Sequence, residues 1–347
     1  MDQNTAASTI DRVESRLGQL HKDALLSDQR NQIGEIDAQL IQLPFRLAQL
    51  RSQGYAYKSH LEVQVAQLAE RWPSIRSQVS IALDTQSAGL RSEINRADQA
   101  VRRLQPLKAQ PLSAVQSTIK SVEDTLSAVE RRIRAAQQAV EAIFGPVAAD
   151  IRNLALEVQL CERMFEWLAG ATFVLDPGEG LVAATEASWI EGKDQTRGIL
   201  YLTDRRMLFE RREKVARKKI LFITTASETV RELRWQVALA DIERVDAGES
   251  RRMLISKREI LTVTPRSGER VEFHLDMDSD TWRAGVLRCQ SGEIVAERVE
   301  SLPDVPEYLI PAKCSSCGGS MRQAGRIRGI SSVQCEYCGA TIALERA

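Results

Sequence analysis

The chain has 347 residues, which suits two or three domains, and its 47 basic and 47 acidic residues balance. This balance excludes a polybasic nucleic-acid coat or an acidic tail as the dominant theme. Because no long uncharged apolar run and no apolar leader occurs, we expect a cytoplasmic protein without a spanning helix or signal peptide. Six of the 17 aromatic residues lie at or before Phe165, which predicts a first half built from aliphatic helices.

Aliphatic residues in the N-terminal half recur at alternating intervals of three and four. The longest row is Val115, Ile119, Val122, Leu126, Val129, Ile133, Ala136, Val140 and Ile143. Shorter rows precede it within residues 10–24, 33–50, 61–79 and 90–104. A 3.5-residue period puts a narrow apolar stripe on a helix and favours supercoiling against another helix. We therefore predict a long antiparallel helical or coiled-coil region over residues 1–170.

Prolines divide this helical half. Residues 105–111 contain Pro106 and Pro111 and are predicted to form a turn, because each proline removes a backbone donor and restricts the residue before it. The sequence Phe144-Gly145-Pro146 predicts that one helix stops and another begins. The pattern does not identify the helix against which each seam packs. The partner helix belongs either to another chain, in a spacer or oligomerisation element, or to the same chain, in an intramolecular bundle.

The composition changes at residues 169–180, where glycines and a proline break the helical period. Strand-like segments, among them residues 220–225 and 233–238, then alternate with turn signals up to residue 275, which predicts about seven antiparallel strands. Asp278, Ser279 and Asp280 are candidate N-caps for a closing helix, and Trp282, Val286 and Leu287 are expected on its apolar side. The order predicts a β-sandwich or open barrel with a C-terminal helix covering one end.

The segment from Gly198 to Phe209, with the sequence GILYLTDRRMLF, resembles the strand pair of GRAM and bacterial PH-like domains. Residues 239–245 fit the family's later I-x-x-V strand, and residues 271–275 with Trp282 fit its final strand and helix. The resemblance covers about residues 175–295 and departs at residues 214–234, which are charged and longer than the family's plain hairpin. It implies a PH/GRAM-like domain that binds phosphoinositides, membranes or protein segments and has no catalytic residues.

A basic cluster lies in this middle domain. Its members are Arg205, Arg206, Arg211, Arg212, Lys214, Arg217, Lys218 and Lys219. These eight cations against Glu210 and Glu213 give residues 205–219 a charge of +6, which makes the cluster a candidate site for anionic ligands. Lipid headgroups and nucleic-acid phosphates both fit such a charge. The alternative, which we favour because the domain as a whole is not basic, is a solvated hairpin whose charges protect a strand edge.

Two Cys-x-x-Cys-Gly sequences near the C-terminus, at Cys314 and Cys317 and at Cys335 and Cys338, give the strongest signal in the chain. Their spacing resembles a zinc ribbon over residues 312–347, behind a proline-rich linker at residues 301–311. Four thiolates complete a tetrahedral shell that leaves no open position, so we expect one structural zinc ion per chain. A redox dithiol pair and an iron site with the same ligands are the alternatives.

The chain is thus expected to be a multidomain α+β protein. Its predicted parts are a helical region (1–170), a PH/GRAM-like domain (171–300), a linker (301–311) and a zinc ribbon (312–347). Because no phosphate-binding loop, nucleophile elbow or His-Glu metal helix occurs, we predict no enzymatic activity. The expected function is a cytosolic scaffold or adaptor that binds a protein partner, another copy of itself or an anionic membrane surface. The alternative is a nucleic-acid-associated factor using the ribbon and the basic cluster.

Overall fold

A computed structural model describes residues 6–192, 194–220, 223–252, 256–300, 302, 307–321, 325–328, 332–335 and 337–346. The chain forms two compact units, Met1–Pro44 with Gln64–Ala155, and Phe45–Val63 with Leu156–Ala347. The fold class is multidomain α+β, as predicted. Among the described residues, no helix has the length and apolar character needed to cross a membrane. The four-part domain division stays a prediction.

Four helices form the N-terminal half: α1 (Ala7–Asp23), α2 (Ser27–Ser52), α3 (His60–Arg102) and α4 (Leu112–Ala169). The predicted aliphatic rows lie on their buried faces, and Val115 through Val140 of the longest row are all buried. With 58 residues, α4 is ~87 Å long at the usual helical rise. The 3.5-residue period therefore identified the buried seam of each helix.

Ion pairs between the helices of the first unit show how these helices run. The pairs are Arg12–Glu123 and Arg16–Glu130 between α1 and α4, and His21–Asp98, Arg30–Asp84 and Arg76–Asp37 between the first two helices and α3. Residue numbers rise together in the first set, so α1 and α4 are parallel. In the second set, the residue numbers in α1 and α2 rise while those in α3 fall, so α3 is antiparallel to α1 and α2. The seams are buried within one chain, as in the intramolecular alternative.

The predicted helix stop at residues 144–146 is wrong. Helix α4 continues through Pro146 to Ala169. Beyond Val140, the buried residues Phe144, Val147 and Ile151 continue the seam at intervals of four, three and four, while the exposed Pro146 lies off it. A proline inside a helix removes one backbone hydrogen bond but does not interrupt an apolar stripe on the other face. Packing of the apolar seam therefore keeps the helix continuous here, despite the local glycine and proline.

The second unit contains a seven-stranded antiparallel sheet. Its strands are β1 (Leu181–Glu191), β2 (Asp194–Thr203), β3 (Arg206–Ile220), β4 (Ile223–Ala238), β5 (Ile242–Arg252), β6 (Ser256–Pro265) and β7 (Val271–Leu275). Their order is β4-β3-β2-β1-β7-β6-β5. Helix α5 (Ser279–Ser291) follows, and the Asp278 side chain accepts a hydrogen bond from the backbone N–H of Thr281 at 2.8 Å. The number of strands and the closing helix agree with the predicted PH-like arrangement.

The segment that departed from the family pattern is a long hairpin. Strands β3 and β4 pair from Arg206 opposite Ala238 to Ile220 opposite Ile223. Strand β2 pairs with β3 only as far as Arg211, so the rest of the hairpin is a two-stranded extension of the sheet. The strand-like segments expected at residues 220–225 and 233–238 belong to the single strand β4. The extra length is therefore regular strand and not an inserted loop.

The connection between α2 and α3 belongs to the second unit. Tyr55 and Tyr57 are buried there, and the Tyr57 hydroxyl donates a hydrogen bond to Asp204 at 2.7 Å. The backbone N–H of Val299 donates to the carbonyl of Ala56 at 2.8 Å. This connection was predicted to belong to the helical region. Few aromatic residues occur in that half of the chain, so the closely spaced Tyr55 and Tyr57 were a sequence signal for its different packing.

Candidate metal centre and charged clusters

The four cysteines lie in two turns of the same design. In the first turn, the N–H of Gly318 donates to the carbonyl of Cys314 at 2.9 Å, and in the second, the N–H of Gly339 donates to the carbonyl of Cys335 at 2.9 Å. Gly318 has a φ of +70° and Gly339 a φ of +72°, a left-handed conformation that favours glycine. Each Cys-x-x-Cys pair therefore needs the glycine that follows it to close the turn.

The turns bring the four sulfur atoms together. The Sγ atoms of Cys314 and Cys338 are 3.8 Å apart, those of Cys317 and Cys335 are 3.7 Å apart, and all four lie within 4.8 Å of one another. A disulfide needs about 2.05 Å, so these are free thiols. A tetrahedron with metal–sulfur bonds of about 2.3 Å has edges of roughly 3.8 Å. The four side chains could hold one metal ion.

The ribbon around this site has little apolar core. It contains β8 (Glu307–Ile310), β9 (Gly325–Arg328), β10 (Ser332–Gln334), β11 (Thr341–Ala343) and β12 (Glu345–Arg346). Its buried residues are Ile310, Cys314, Val333, Cys335, Ile342 and Leu344. Two of the six are candidate metal ligands. The sequence pattern predicts short strands at residues 332–334 and 340–344, and the structure has β10 and β11 at these places.

An exposed aromatic side chain lies on the second turn. Tyr337 is 62% exposed, yet its ring is so close to Gly319 that an added Cβ at that glycine would lie 2.8 Å from the ring. Any larger residue at position 319 would displace the ring, so the glycine allows the tyrosine to lie across the first turn. The ring therefore lies beside the first turn while most of its surface faces solvent.

The structure describes four side chains of the basic cluster, those of Arg205, Arg206, Arg211 and Arg212. Three of them bind carboxylates: Arg206 pairs with Glu179, Arg211 with Glu213, and Arg212 with Glu210. The side chains of Lys214, Arg217, Lys218 and Lys219 lie outside the described residues. The +6 counted from sequence already includes Glu210 and Glu213, so among the described side chains only the pairing of Arg206 with Glu179 compensates one further charge. The role of the cluster as an anion site stays a prediction.

The Arg212–Glu210 pair is buried and joins β3 to the end of α4. Glu210 is fully buried and accepts hydrogen bonds from the Arg212 Nε and from the backbone N–H of Thr172, both at 2.5 Å. Arg212 also donates to the carbonyl of Trp167 at 2.5 Å and to the Tyr201 hydroxyl at 2.8 Å. Burial raises the pKa of Tyr201, so its hydroxyl stays neutral. The partners of Arg212 therefore all belong to the second unit itself.

A second buried carboxylate lies at the start of the sheet. Burial alone would raise the pKa of Glu179, but hydrogen bonds from Arg206 at 2.9 Å and from the Thr203 hydroxyl at 2.6 Å hold that pKa below its usual range. The carboxylate is therefore ionised in the folded protein at neutral pH. Its charge is compensated entirely by groups within the second unit.

The lowered pKa of Glu179 predicts a pH dependence of stability. Its contribution is complete above about pH 4.3, the ordinary pKa of glutamate, and is lost as the pH falls through the lower folded-state value. We expect Glu179→Gln to destabilise the second unit at pH 6 and the difference from wild type to shrink towards pH 3. Urea unfolding at pH 6, 4 and 3 measures this. The exposed Glu269→Gln is the control, and a pH-independent difference for Glu179→Gln would contradict the assignment.

No protein-family model and no curated protein matches the sequence. Solved structures that resemble the chain include the linker-DH/PH domains of p115-RhoGEF, at 12% identity over 77% of this chain and 98% of that one, with a TM-score of 0.21. Vav1 with an allosteric inhibitor matches at 11% identity over 96% and 97%, with a TM-score of 0.24. A domain of an unknown Leishmania infantum protein matches at 16% identity over 33% and 85%, with a TM-score of 0.23.

The prediction that the chain has no enzymatic activity is wrong. The similar structures include Vav1, whose inhibitors are described as blocking GEF activity. The motifs sought in this sequence serve phosphate binding, hydrolysis and metal catalysis, and a nucleotide-exchange activity depends on none of them. At identities of 8% to 16% and TM-scores no higher than 0.25, these similarities assign no activity to this chain.

Proposed function

We propose that this chain is an adaptor that binds a protein partner and that one structural zinc ion folds its C-terminal ribbon. The ligands are Cys314, Cys317, Cys335 and Cys338. The observation that carries the proposal is the agreement between the sulfur separations of 3.7 and 3.8 Å and the edge of a Zn–S₄ tetrahedron, roughly 3.8 Å. Because four thiolates fill the shell, the ion would stabilise the ribbon and would not activate water.

Elemental analysis of protein purified under reducing conditions tests the identity of the metal. We expect one zinc per chain, with iron well below one. One iron per chain would instead support a rubredoxin-type iron site, since both metals accept four thiolates. A metal-free protein with oxidised cysteines would favour the redox alternative.

The finer assignments of the middle domain are also proposals. We propose that residues 171–300 form a PH/GRAM-like domain, supported by the GILYLTDRRMLF sequence on β2 and β3 and by the seven strands closed by α5. We further propose a cytosolic location, because unpaired cysteines and a thiolate metal site suit a reducing compartment. The linker predicted at residues 301–311 stays a proposal for residues 301–306, because residues 307–310 form β8, which pairs with β9 and β12 of the ribbon.

Tyr337 is our candidate contact for the protein partner. Aromatic side chains that are held in place and exposed are frequent energetic centres of protein interfaces. The Tyr337 ring lies against Gly319, so the first turn covers part of the ring and leaves the rest for a partner. A partner that covers this ring would also cover part of the exposed Cys317 and Cys338.

Affinity capture from a native extract tests this contact. With zinc-loaded Tyr337→Ala, we expect recovery of the partner to fall at least about tenfold, the equivalent of 1.4 kcal/mol. Phe45→Ala is the matched control, because Phe45 is a 73% exposed aromatic residue on α2. Equal recovery with both variants would contradict the contact. Salt-sensitive nucleic-acid binding that is lost in Tyr337→Ala would favour the nucleic-acid alternative instead.

A further inference from the structure

A cleft of about 600 Å³ lies within the second compact unit, far in sequence from the cysteine ribbon. Its walls are residues 55–58, residues 160–167 at the end of α4, residues 182–186 of β1 and residues 281–288 of α5. Sites for small organic ligands usually occupy roughly 300–1,000 Å³. The cleft is therefore large enough for a small molecule, and nothing in the proposed adaptor role uses it.

The lining of the cleft is mainly apolar. It includes Leu160, Met164, Trp167, Met277, Trp282 and Ile294. Met164, Trp282 and Ile294 are buried, whereas Leu160 is 45% exposed and Met277 is 38% exposed. A ligand in the cleft would remove exposed apolar surface from water, which favours an apolar ligand body by about 25 cal/mol for each Å² covered. The lining thus fits a hydrocarbon chain.

The cleft also contains charges that the protein does not pair. Lys58 and Arg288 line it, but they bind Glu157 and Glu297. Arg163 on α4 is exposed and has no hydrogen-bond or ion-pair partner within the described residues. The side chains of Glu186 and Asp276, on the sheet side of the cleft, likewise have none among the residues described. One unpaired cation and two unpaired anions thus lie on different walls.

One more polar group near the cleft is unsatisfied. The Tyr55 hydroxyl is buried and makes no hydrogen bond in the part of the chain that the structure describes. Beside it lies the Cys161 thiol, whose burial raises its pKa and keeps it neutral, so it is a weak partner at best. A buried polar group without a partner carries a free-energy cost. A ligand with polar atoms would reduce this cost if it reached the hydroxyl.

We infer that this cleft binds a single-chain amphiphile with a zwitterionic headgroup. The chain lies against Met164 and Trp282, the anionic group near Arg163, and the cationic group near Glu186 and Asp276. A purely anionic headgroup would leave two carboxylates unpaired, and an uncharged one would use none of the three charges. A small molecule fits better than a peptide because the buried floor and the volume of the cleft match one chain.

Binding to full-length, zinc-loaded and delipidated protein tests the inference. The probe is a lysophosphatidylcholine with a 14-carbon chain below its micelle concentration, followed by calorimetry and by the fluorescence of Trp167 and Trp282. We expect saturable binding with one site per chain. We expect Ala284→Phe, at an exposed position of α5 that lines the cleft, to weaken it at least about tenfold. Ala139→Phe, exposed on α4 outside the cleft, is the matched control.

The charge assignment has its own controls. Arg163→Gln should weaken the zwitterionic probe and tetradecanoate by about two- to fivefold, as expected for an exposed ion pair, but not tetradecyltrimethylammonium. Asp276→Asn should weaken the zwitterionic and the cationic probes but not tetradecanoate. Failure of wild type to bind the zwitterionic probe, or equal binding by Ala284→Phe, would overturn the inference. Equal effects of Arg163→Gln on all three probes would also overturn it. Loss of a protein partner from Ala284→Phe without amphiphile binding would assign the cleft to a protein segment instead.

Discussion

Replacing Cys335 with serine is expected to release the zinc ion and unfold the ribbon from β8 to β12, while the helices and the seven-stranded sheet remain folded. Among its described residues the ribbon buries six side chains, and two of them are proposed ligands. Binding of a structural zinc ion by a small domain is worth about 10–16 kcal/mol at neutral pH, whereas so small a core supplies far less. Zinc content and residue-resolved hydrogen exchange measure both effects.

The matched control for this substitution is Cys289→Ser. Cys289 is a buried cysteine of α5, and it is not among the four clustered sulfurs. We expect this variant to keep one zinc per chain and a protected ribbon. A strong chelator added to wild type should reproduce the Cys335→Ser pattern. Ribbon amides that stay protected in zinc-free wild type would show that the apolar cluster alone folds this region.

Replacing Glu210 with alanine is expected to lower the free energy of unfolding of the sheet by about 3–5 kcal/mol, because it leaves the Arg212 guanidinium without its buried partner. Glu210 is fully buried and also accepts a hydrogen bond from the backbone of Thr172, so two donors lose their acceptor. Urea unfolding followed by hydrogen exchange in β2 and β3 measures the loss.

Strand β3 offers a matched control only three residues away. Glu213 also pairs with an arginine two positions away, Arg211, but its side chain is 26% exposed. Glu213→Ala should therefore cost about 1 kcal/mol or less, as do other solvent-accessible ion pairs. Equal losses for the two variants would mean that burial does not distinguish the two pairs. A small loss for both would place the Glu210 region of the sheet in contact with water.

The helical seams were predictable because they depend on local periodicity alone. Val115 through Val140 follow a 3.5-residue period, and the structure buries each of them. The helix stop at Pro146 was a wrong prediction for the opposite reason. It rested on the preference of three residues, while the outcome depended on packing along a helix of 58 residues.

At the candidate site, too, local sequence features were predictable and long-range contacts were not. The four cysteines were found because both halves of the ligand set have a fixed local spacing and the glycines that close the turns. The contacts of Arg212 and Glu210 with the end of α4 were not found, because their partners lie about 40 residues upstream: the Trp167 carbonyl accepts from Arg212, and the Thr172 N–H donates to Glu210. Charge counted along the sequence does not reveal partners that only folding brings together. The charges lining the cleft come from four separate segments and have no common sequence motif.

The way the chain divides between the two units limits how each unit can be produced by itself. Each unit takes two separate stretches of sequence, so the chain passes between them three times, after Pro44, Val63 and Ala155. No single truncation therefore yields either unit intact, and a fragment that starts at residue 171 contains Asp204 without its partner Tyr57. A fragment of the sheet domain keeps this hydrogen bond only if it also contains residues 45–63.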